Sequence, residues 1–284
     1  MSQRTRPVHH DRDAILNAAG ERGRLSVGAQ RLEYLRLPGD PARPLLVLLH
    51  EGLGCVALWR DVPQALAATT GCGVLVYSRA GYGGSSPCAL PRPLRYMEDH
   101  ALEVLPPLLA QLDARALVLV GHSDGGSIAA VHAGARPDPR LAGVVLLAPH
   151  FFAEPISVAA IRRATRAFEE DDLRERLAKY HKDNVDCAFR GWADSWLHPD
   201  FLRWDLRPFL PTIRAPTLVI QGEDDEYGTK AQVETATALI KAPIAAHLLP
   251  ACGHAPHKDQ RETVLRLIAE FVAARCGAAN VTAP

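Results

Sequence analysis

The chain has no apolar run long enough to span a bilayer, so no segment reads as transmembrane. Its opening residues, MSQRTRPVHHDRD, lack the apolar centre of a secretory signal. Net charge is missing too. The 32 Lys and Arg balance the 32 Asp and Glu, and the arginines are scattered, which argues against a nucleic-acid partner or an anionic membrane surface. The six cysteines (Cys55, Cys72, Cys88, Cys187, Cys252 and Cys276) form no CxxC pair and no metal-ligand spacing. Each reads as a free thiol filling a small space in a reducing compartment, with the cytoplasm as the expected location. There is no GxxxxGK[ST] or GxGxxG phosphate-binding motif, no internal repeat and no low-complexity tract. No cofactor and no metal are therefore expected.

What is present suits one large domain, or a domain carrying an insertion: 284 residues, 48% hydrophobic. RLSVGAQRLEYLRLP alternates polar and apolar residues around Gly28-Ala29, a hairpin signal. PLLVLLH, GVLVYS, ALVLVG, AGVVLLAP and APTLVIQG are short continuous apolar runs, as for strands buried on both faces, and PIAAHLLP is a weaker one. Helical patterns lie between them. Such alternation predicts an α/β fold with a mostly parallel, doubly wound sheet, whose chemistry gathers at the carboxyl ends of the strands. It breaks between Phe151 and Leu210, where the sequence is helical, charged and holds Trp192, Trp196 and Trp204. The expected organisation is a core of residues 1–150 and 211–284 with a helical cap, 151–210, inserted over the strand ends. A peripheral helix pair packed down by its tryptophans is the plainer alternative. The N-terminal stretch reads as a tail disordered in its first few residues, or as an arm gripping a second subunit in a homodimer.

LVLVGHSDGGSIAA passes from a buried strand into a helix, with Ser123 and Asp124 at the turn. A strand-to-helix turn sharp enough to expose its central side chain needs small residues two before and two after. With Ser123 central, those positions are Gly121 and Gly125. With Asp124 central, they are His122 and Gly126, and an imidazole would fill the crowded position. The spacing selects Ser123, and with it acyl transfer or a related addition to a carbonyl rather than the Asp chemistry of dehalogenases and epoxide hydrolases. A glycine-rich helix start capped by Ser or Asp is the bland reading of the same residues. A serine nucleophile needs a base and an orienting acid. LVIQGEDDEYG puts Glu223, Asp224 and Asp225 just after a strand, and HLLPACGHAPHKD puts His254 and His257 after the weak one. A His254-x-x-His257 metal pair has no further ligand cluster beside it.

These segments resemble the α/β-hydrolase fold superfamily from about Arg24 to Arg275. GHSDGG resembles its nucleophile elbow, LHEGLGCVALW its oxyanion loop, GEDDE its Gly-x-x-Asp turn and CGHAPH its Gly-His segment. The resemblance implies Ser123 as nucleophile, Asp225 as acid and His254 as base. The backbone N–H groups of Gly52 and Asp124 would form the oxyanion hole. Glu51 departs from the pattern, standing where glycine is usual. It either braces the loop, through Arg79 or a backbone N–H, or acts on substrate or water. Beside the nucleophile, His122 reads as packed and hydrogen-bonded. AGYGGSSP resembles the loop after the fourth strand and is expected to bind nothing, with Tyr82 bordering the pocket. Together with Trp192 and Trp196 this suggests a small apolar or aromatic substrate. The expected function is a serine hydrolase cleaving a small carboxylic ester. A C–C bond hydrolase or enol-lactonase of aromatic degradation is the runner-up, and a ligand-binding scaffold of the same fold is the reading from another class. A fluorophosphonate is expected to label wild type on Ser123 and to leave Ser123→Ala unlabelled; a wild type that stays unlabelled points to the scaffold.

Overall fold

The computed structural model describes residues 20–136 and 138–276; the N-terminal stretch expected to be a tail or arm lies outside them. Eight strands form one sheet: β1 (Glu21–Val27), β2 (Gln30–Leu37), β3 (Leu45–Leu49), β4 (Val74–Tyr77), β5 (Leu117–His122), β6 (Leu141–Leu147), β7 (Thr217–Gly222) and β8 (Ile244–Leu249). Their order is β1-β2-β4-β3-β5-β6-β7-β8. β1 and β2 pair antiparallel through a turn in which Gly28 takes φ +56°, and β2 pairs antiparallel with β4. Every pairing from β4 to β8 is parallel. This is the mostly parallel doubly wound sheet that the sequence alternation predicts.

The central strands are apolar throughout because both their faces are covered. Leu45, Val47 and Leu49 of β3 pack with Leu119 of β5 and Val144 of β6 into one core, whereas Leu46, Leu48, Val120 and Val145 enter the core behind the sheet. Helices α1 (Val62–Thr70) and α9 (Arg261–Cys276) cover that second face. The first is covered by α2 (residues 96–110) and by α3 (Asp124–Ala135), whose Gly125, Gly126, Ala129 and Ala130 let it lie buried against the strands. β8 reads weakly because it is an edge strand in which only Leu249 of six residues is buried.

Helix α2 runs Tyr96–Asp99, widens into a π turn over His100–Val104 and continues over Leu105–Ala110. Pro106 and Pro107 cause the widening, since neither has an N–H to donate one turn back. The Leu105 N–H reaches the carbonyl of His100 instead, and the freed Ala101 carbonyl faces the His132 Nδ1 at 3.1 Å.

Between β6 and β7 the chain is helical: α4 (Pro155–Glu170), α5 (Leu173–His181) and α6 (Val185–Trp196), followed by short 3₁₀ turns. A bridge between Phe152 and Asp205, with the Leu206 N–H bonded to the Phe151 carbonyl at 2.7 Å, pins the two ends of this segment together. The remaining helices, α7 (Ala231–Leu239) and α8 (Pro256–Asp259), follow β7 and β8. Among the described residues no helix is long and apolar enough to cross a membrane.

The passage from β5 to α3 is the tightest point of the fold. A Cβ on Gly121 would lie 2.2 Å from the Gly125 carbonyl oxygen, and one on Gly125 would lie 2.1 Å from that of Leu49. Both glycines are therefore demanded by backbone contact. Gly125→Ala is expected to lose about 1–3 kcal/mol in denaturant unfolding. Gly126→Ala, whose nearest contact would be 3.2 Å, is expected to lose less.

Candidate active site

Ser123 sits on that turn with φ 52° and ψ −120°, a strained left-handed conformation for a residue with a side chain. Its Oγ lies 2.9 Å from His254 Nε2, and His254 Nδ1 lies 2.8 Å from Asp225 Oδ1. The three side chains come from the loops after β5, β8 and β7, all at the carboxyl edge of the sheet. Asp225 Oδ1 also accepts the N–H groups of Tyr227 (2.8 Å) and Gly228 (3.1 Å), which orient the carboxylate. Burial alone would raise the Asp225 carboxyl. The His254 hydrogen bond and charge, with the Tyr227 N–H, outweigh it and hold the group below its usual range.

The competing residues go elsewhere. Glu223 and Asp224 are exposed. The His257 ring is buried against His122 (4.7 Å) and Trp59 (5.0 Å), away from Ser123. Among the described residues no group of three or more His, Cys, Asp or Glu is arranged to hold a metal ion. His122 is packed and hydrogen-bonded: its Nε2–H donates to the His254 carbonyl at 2.7 Å.

Asp124 is fully buried below the turn. It pairs with Arg79 (3.6 Å) and accepts the Tyr96 hydroxyl proton at 2.6 Å, while Trp196 Nε1–H donates to the same Tyr96 oxygen at 3.0 Å. Only its backbone faces the site, and as the first residue of α3 its N–H has no partner one turn back in the helix. Gly52 lines the cavity beside Ser123, and a Cβ on it would meet Trp192 Nε1 at 2.3 Å.

Glu51 is braced in a different way from that expected. Arg79 donates to the backbone carbonyls of His50 and Glu51, not to the Glu51 carboxylate. That carboxylate stands 3.6 Å from His122 Nδ1 and 3.9 Å from Lys258 Nζ, and it borders the cavity. Burial raises it, but His122, Lys258 and His50 together carry it well below the ordinary carboxylate range.

A cavity of about 90 Å³ opens above Ser123. Ser157 and Ile161 of α4 and Trp192 and Trp196 of α6 form its far wall, and Leu53, His150 and Tyr227 complete it. No Lys or Arg lines it. Tyr82 corrects the sequence expectation. It is fully buried and does not border the cavity, because its ring is clamped between His50 (4.8 Å), His181 (5.9 Å) and the guanidinium groups of Arg79 and Arg92. Its loop is not idle either. The Gly83 N–H donates to His181 Nδ1 (3.0 Å), and Asn184 Nδ2 donates to the carbonyls of Gly83 (3.1 Å) and Ser85 (2.8 Å), docking the loop on the helical segment.

Residues 46–267 match the model of the alpha/beta hydrolase family. The chain belongs to that family. Among its hydrolase relatives, epoxide hydrolase 3 of Xenopus tropicalis is 25% identical over 299 residues, covering 90% of this chain and 79% of that protein. Polyketide synthase ThaQ of Burkholderia thailandensis is 31% identical over 261 residues, covering 80% of this chain but only 12% of that protein. Of solved structures, the esterase EaEST from Exiguobacterium antarcticum superposes with a TM-score of 0.71 at 17% identity, over 88% of this chain and 98% of that one.

The wall residues Leu53, His150, Ser157, Ile161 and Tyr227 escaped the sequence reading. His150 follows β6 in LLAPHFF, and Tyr227 lies two residues after Asp225; both stand just beyond strand ends, a signal that was available. Burial lowers the His150 imidazole to about 3, so it faces the cavity uncharged.

Asp225→Asn is expected to cut turnover by about 10⁴-fold while leaving the fold intact. A second expectation concerns acid stability. Glu51 and Asp225 both titrate lower when folded, so their stabilisation is fully present above about pH 4.5 and is lost as pH falls further. Denaturant melts of Glu51→Gln should therefore decline less steeply than wild type between about pH 5 and pH 3. Equal slopes would mean that His122 and Lys258 do not hold Glu51 ionised.

Proposed function

We propose that this hydrolase cleaves small carboxylic esters with apolar or aromatic acyl groups through an acyl-enzyme on Ser123. The observation that carries the reading is the unbroken relay from Ser123 Oγ through His254 to Asp225, at 2.9 and 2.8 Å. In it His254 Nε2 takes the Ser123 proton as Oγ attacks the ester carbonyl carbon. Asp225 holds the His254 Nδ1–H and stabilises the imidazolium. The N–H groups of Gly52 and Asp124 receive the developing oxyanion. His254 then returns the proton to the departing alcohol and activates water to release the acid. The helical segment 151–210 acts as the cap, with Trp192 and Trp196 as the apolar wall against the acyl group. His150 offers that group one neutral donor or acceptor. The free thiols among the described residues support a reducing, cytoplasmic setting.

The likeness to an epoxide hydrolase does not extend to an Asp nucleophile. Asp124 is locked beneath the turn by Arg79 and Tyr96, and Ser123 lines the cavity. C–C cleavage of a ring-fission dienoate is disfavoured by charge, since the cavity offers the Glu51 carboxylate and no cation to a substrate carboxylate. An uncharged enol lactone would meet no such obstacle. The test is a panel of p-nitrophenyl acetate, butyrate, benzoate and decanoate. Wild type is expected to cleave the short and benzoyl esters and to spare decanoate, with Ser123→Ala at background. Trp192→Ala should extend cleavage to longer chains. Hydrolysis undiminished in Ser123→Ala would overturn the mechanism.

A further inference from the structure

Arg92 is a half-buried guanidinium with no carboxylate within ion-pair distance among the described residues. Nη2 donates to the Ala80 carbonyl at 3.1 Å, its plane lies over Tyr82 at 4.6 Å, and buried Nε has no hydrogen-bond partner. At its head stand two thiols, Cys88 from the loop after β4 and Cys187 from α6. The fold keeps space for this trio. A Cβ on Gly81 would meet Arg92 Nη2 at 2.5 Å, Cys88 Sγ at 2.6 Å and Cys187 Sγ at 2.8 Å, and one on Gly191 would meet Arg92 Nε at 2.1 Å. Both sulfurs thus point at one spot. Cys187 Sγ accepts from the Cys88 N–H at 3.4 Å, and its own S–H donates to the Cys88 carbonyl oxygen at 3.3 Å. Cys55, Cys72 and Cys252 are buried fillers, as the sequence suggests, but Cys88 and Cys187 are both partly exposed. Cys88 and Arg92 also open onto a surface cleft of about 250 Å³, which Arg79 and Ala80 line as well.

We propose that Cys88, Cys187 and Arg92 form a redox site that joins the helical segment to the core through a reversible disulfide, with a hydroperoxide as oxidant. Once it gives up its S–H proton, Cys187 is the attacking thiolate, held beside the Arg92 guanidinium. The Cys88 hydrogen bond, the backbone N–H and the guanidinium all lower it, while Cys88 keeps its proton and is raised. The Cys187 sulfur attacks one peroxide oxygen, the O–O bond breaks, and the departing alkoxide or hydroxide leaves protonated as an alcohol or water. Cys187 is then a sulfenic acid. Cys88 attacks that sulfur, gives up its proton and displaces the hydroxyl as water. Two thiols and one hydroperoxide yield one disulfide, one alcohol or water, and one further water. The bond spans 99 residues of chain and fastens α6, which carries Trp192 and Trp196, to the core.

The experiment uses the whole protein and two readouts. Iodoacetamide at pH 7, followed by peptide mass spectrometry, is expected to alkylate Cys187 at least about tenfold faster than Cys88 or Cys252, and Arg92→Lys and Arg92→Met to slow it. Brief treatment with hydrogen peroxide is expected to give a non-reduced peptide joining Cys88 to Cys187, lighter by two hydrogens and reversed by dithiothreitol. Cys88→Ser should leave Cys187 alkylation intact and abolish the crosslink, which separates loss of the site from loss of the fold. Cys187 no more reactive than buried Cys252, or peroxide giving only sulfinic acid with no joined peptide, would overturn the proposal.

Discussion

The buried pair of Arg79 and Asp124 ties the loop after β3, the turn at Ser123 and the helical segment to one another. Arg79 follows β4, and Asp124 opens α3 one residue past Ser123. The guanidinium grips the carbonyls of His50 and Glu51, so the loop after β3 is held against the turn after β5. Through Tyr96, Asp124 also reaches Trp196 of the helical segment. Replacing such a pair with apolar residues can leave stability unchanged, but removing one partner alone strands a charge and destabilises by about 3–5 kcal/mol. What the pair contributes is therefore geometry: it sets the distance between the Gly52 loop and the Ser123 turn. Burial still drives the Asp124 carboxyl upward, and Arg79 and Tyr96 pull against it.

Around this pair the protein gathers imidazoles and keeps most of them neutral. Burial lowers His50, His150, His181 and His257 below the ordinary histidine range. They serve as compact donors and acceptors that cross between elements, as His181 does by joining Gly83 to the Leu53 carbonyl. With Trp59, Trp192 and Trp196 they give the site rigid walls with few charges. Glu51 is the exception, and its carboxylate is kept ionised from behind while one edge borders the cavity.

Much of this was legible in the residues. The apolar runs marked the strands because parallel strands are buried on both faces, and the run that read weakly, β8, is an edge strand of the sheet. The demand for small residues at 121 and 125 picked Ser123 over Asp124 by sterics alone, and the backbone contacts at those glycines have the same cause. Tyr82 went wrong for a physical reason. A tyrosine in a glycine-rich loop near strand ends reads as a pocket residue, yet two arginines and two histidines close over its ring. His150 and Tyr227 were missed because each sits beside a louder neighbour.

By itself the sequence determined the strand and helix order, the position of the turn at Ser123 and the chemical types after each strand. Those are local facts, since periodicity and glycine spacing record burial and curvature along the chain. Which way Glu51 points, what covers Tyr82, and that Cys88 meets Cys187 beside Arg92 were decided only by tertiary structure. Each depends on how the segment between β6 and β7 folds back over the sheet, and contacts between residues 99 apart leave no periodic trace in the chain.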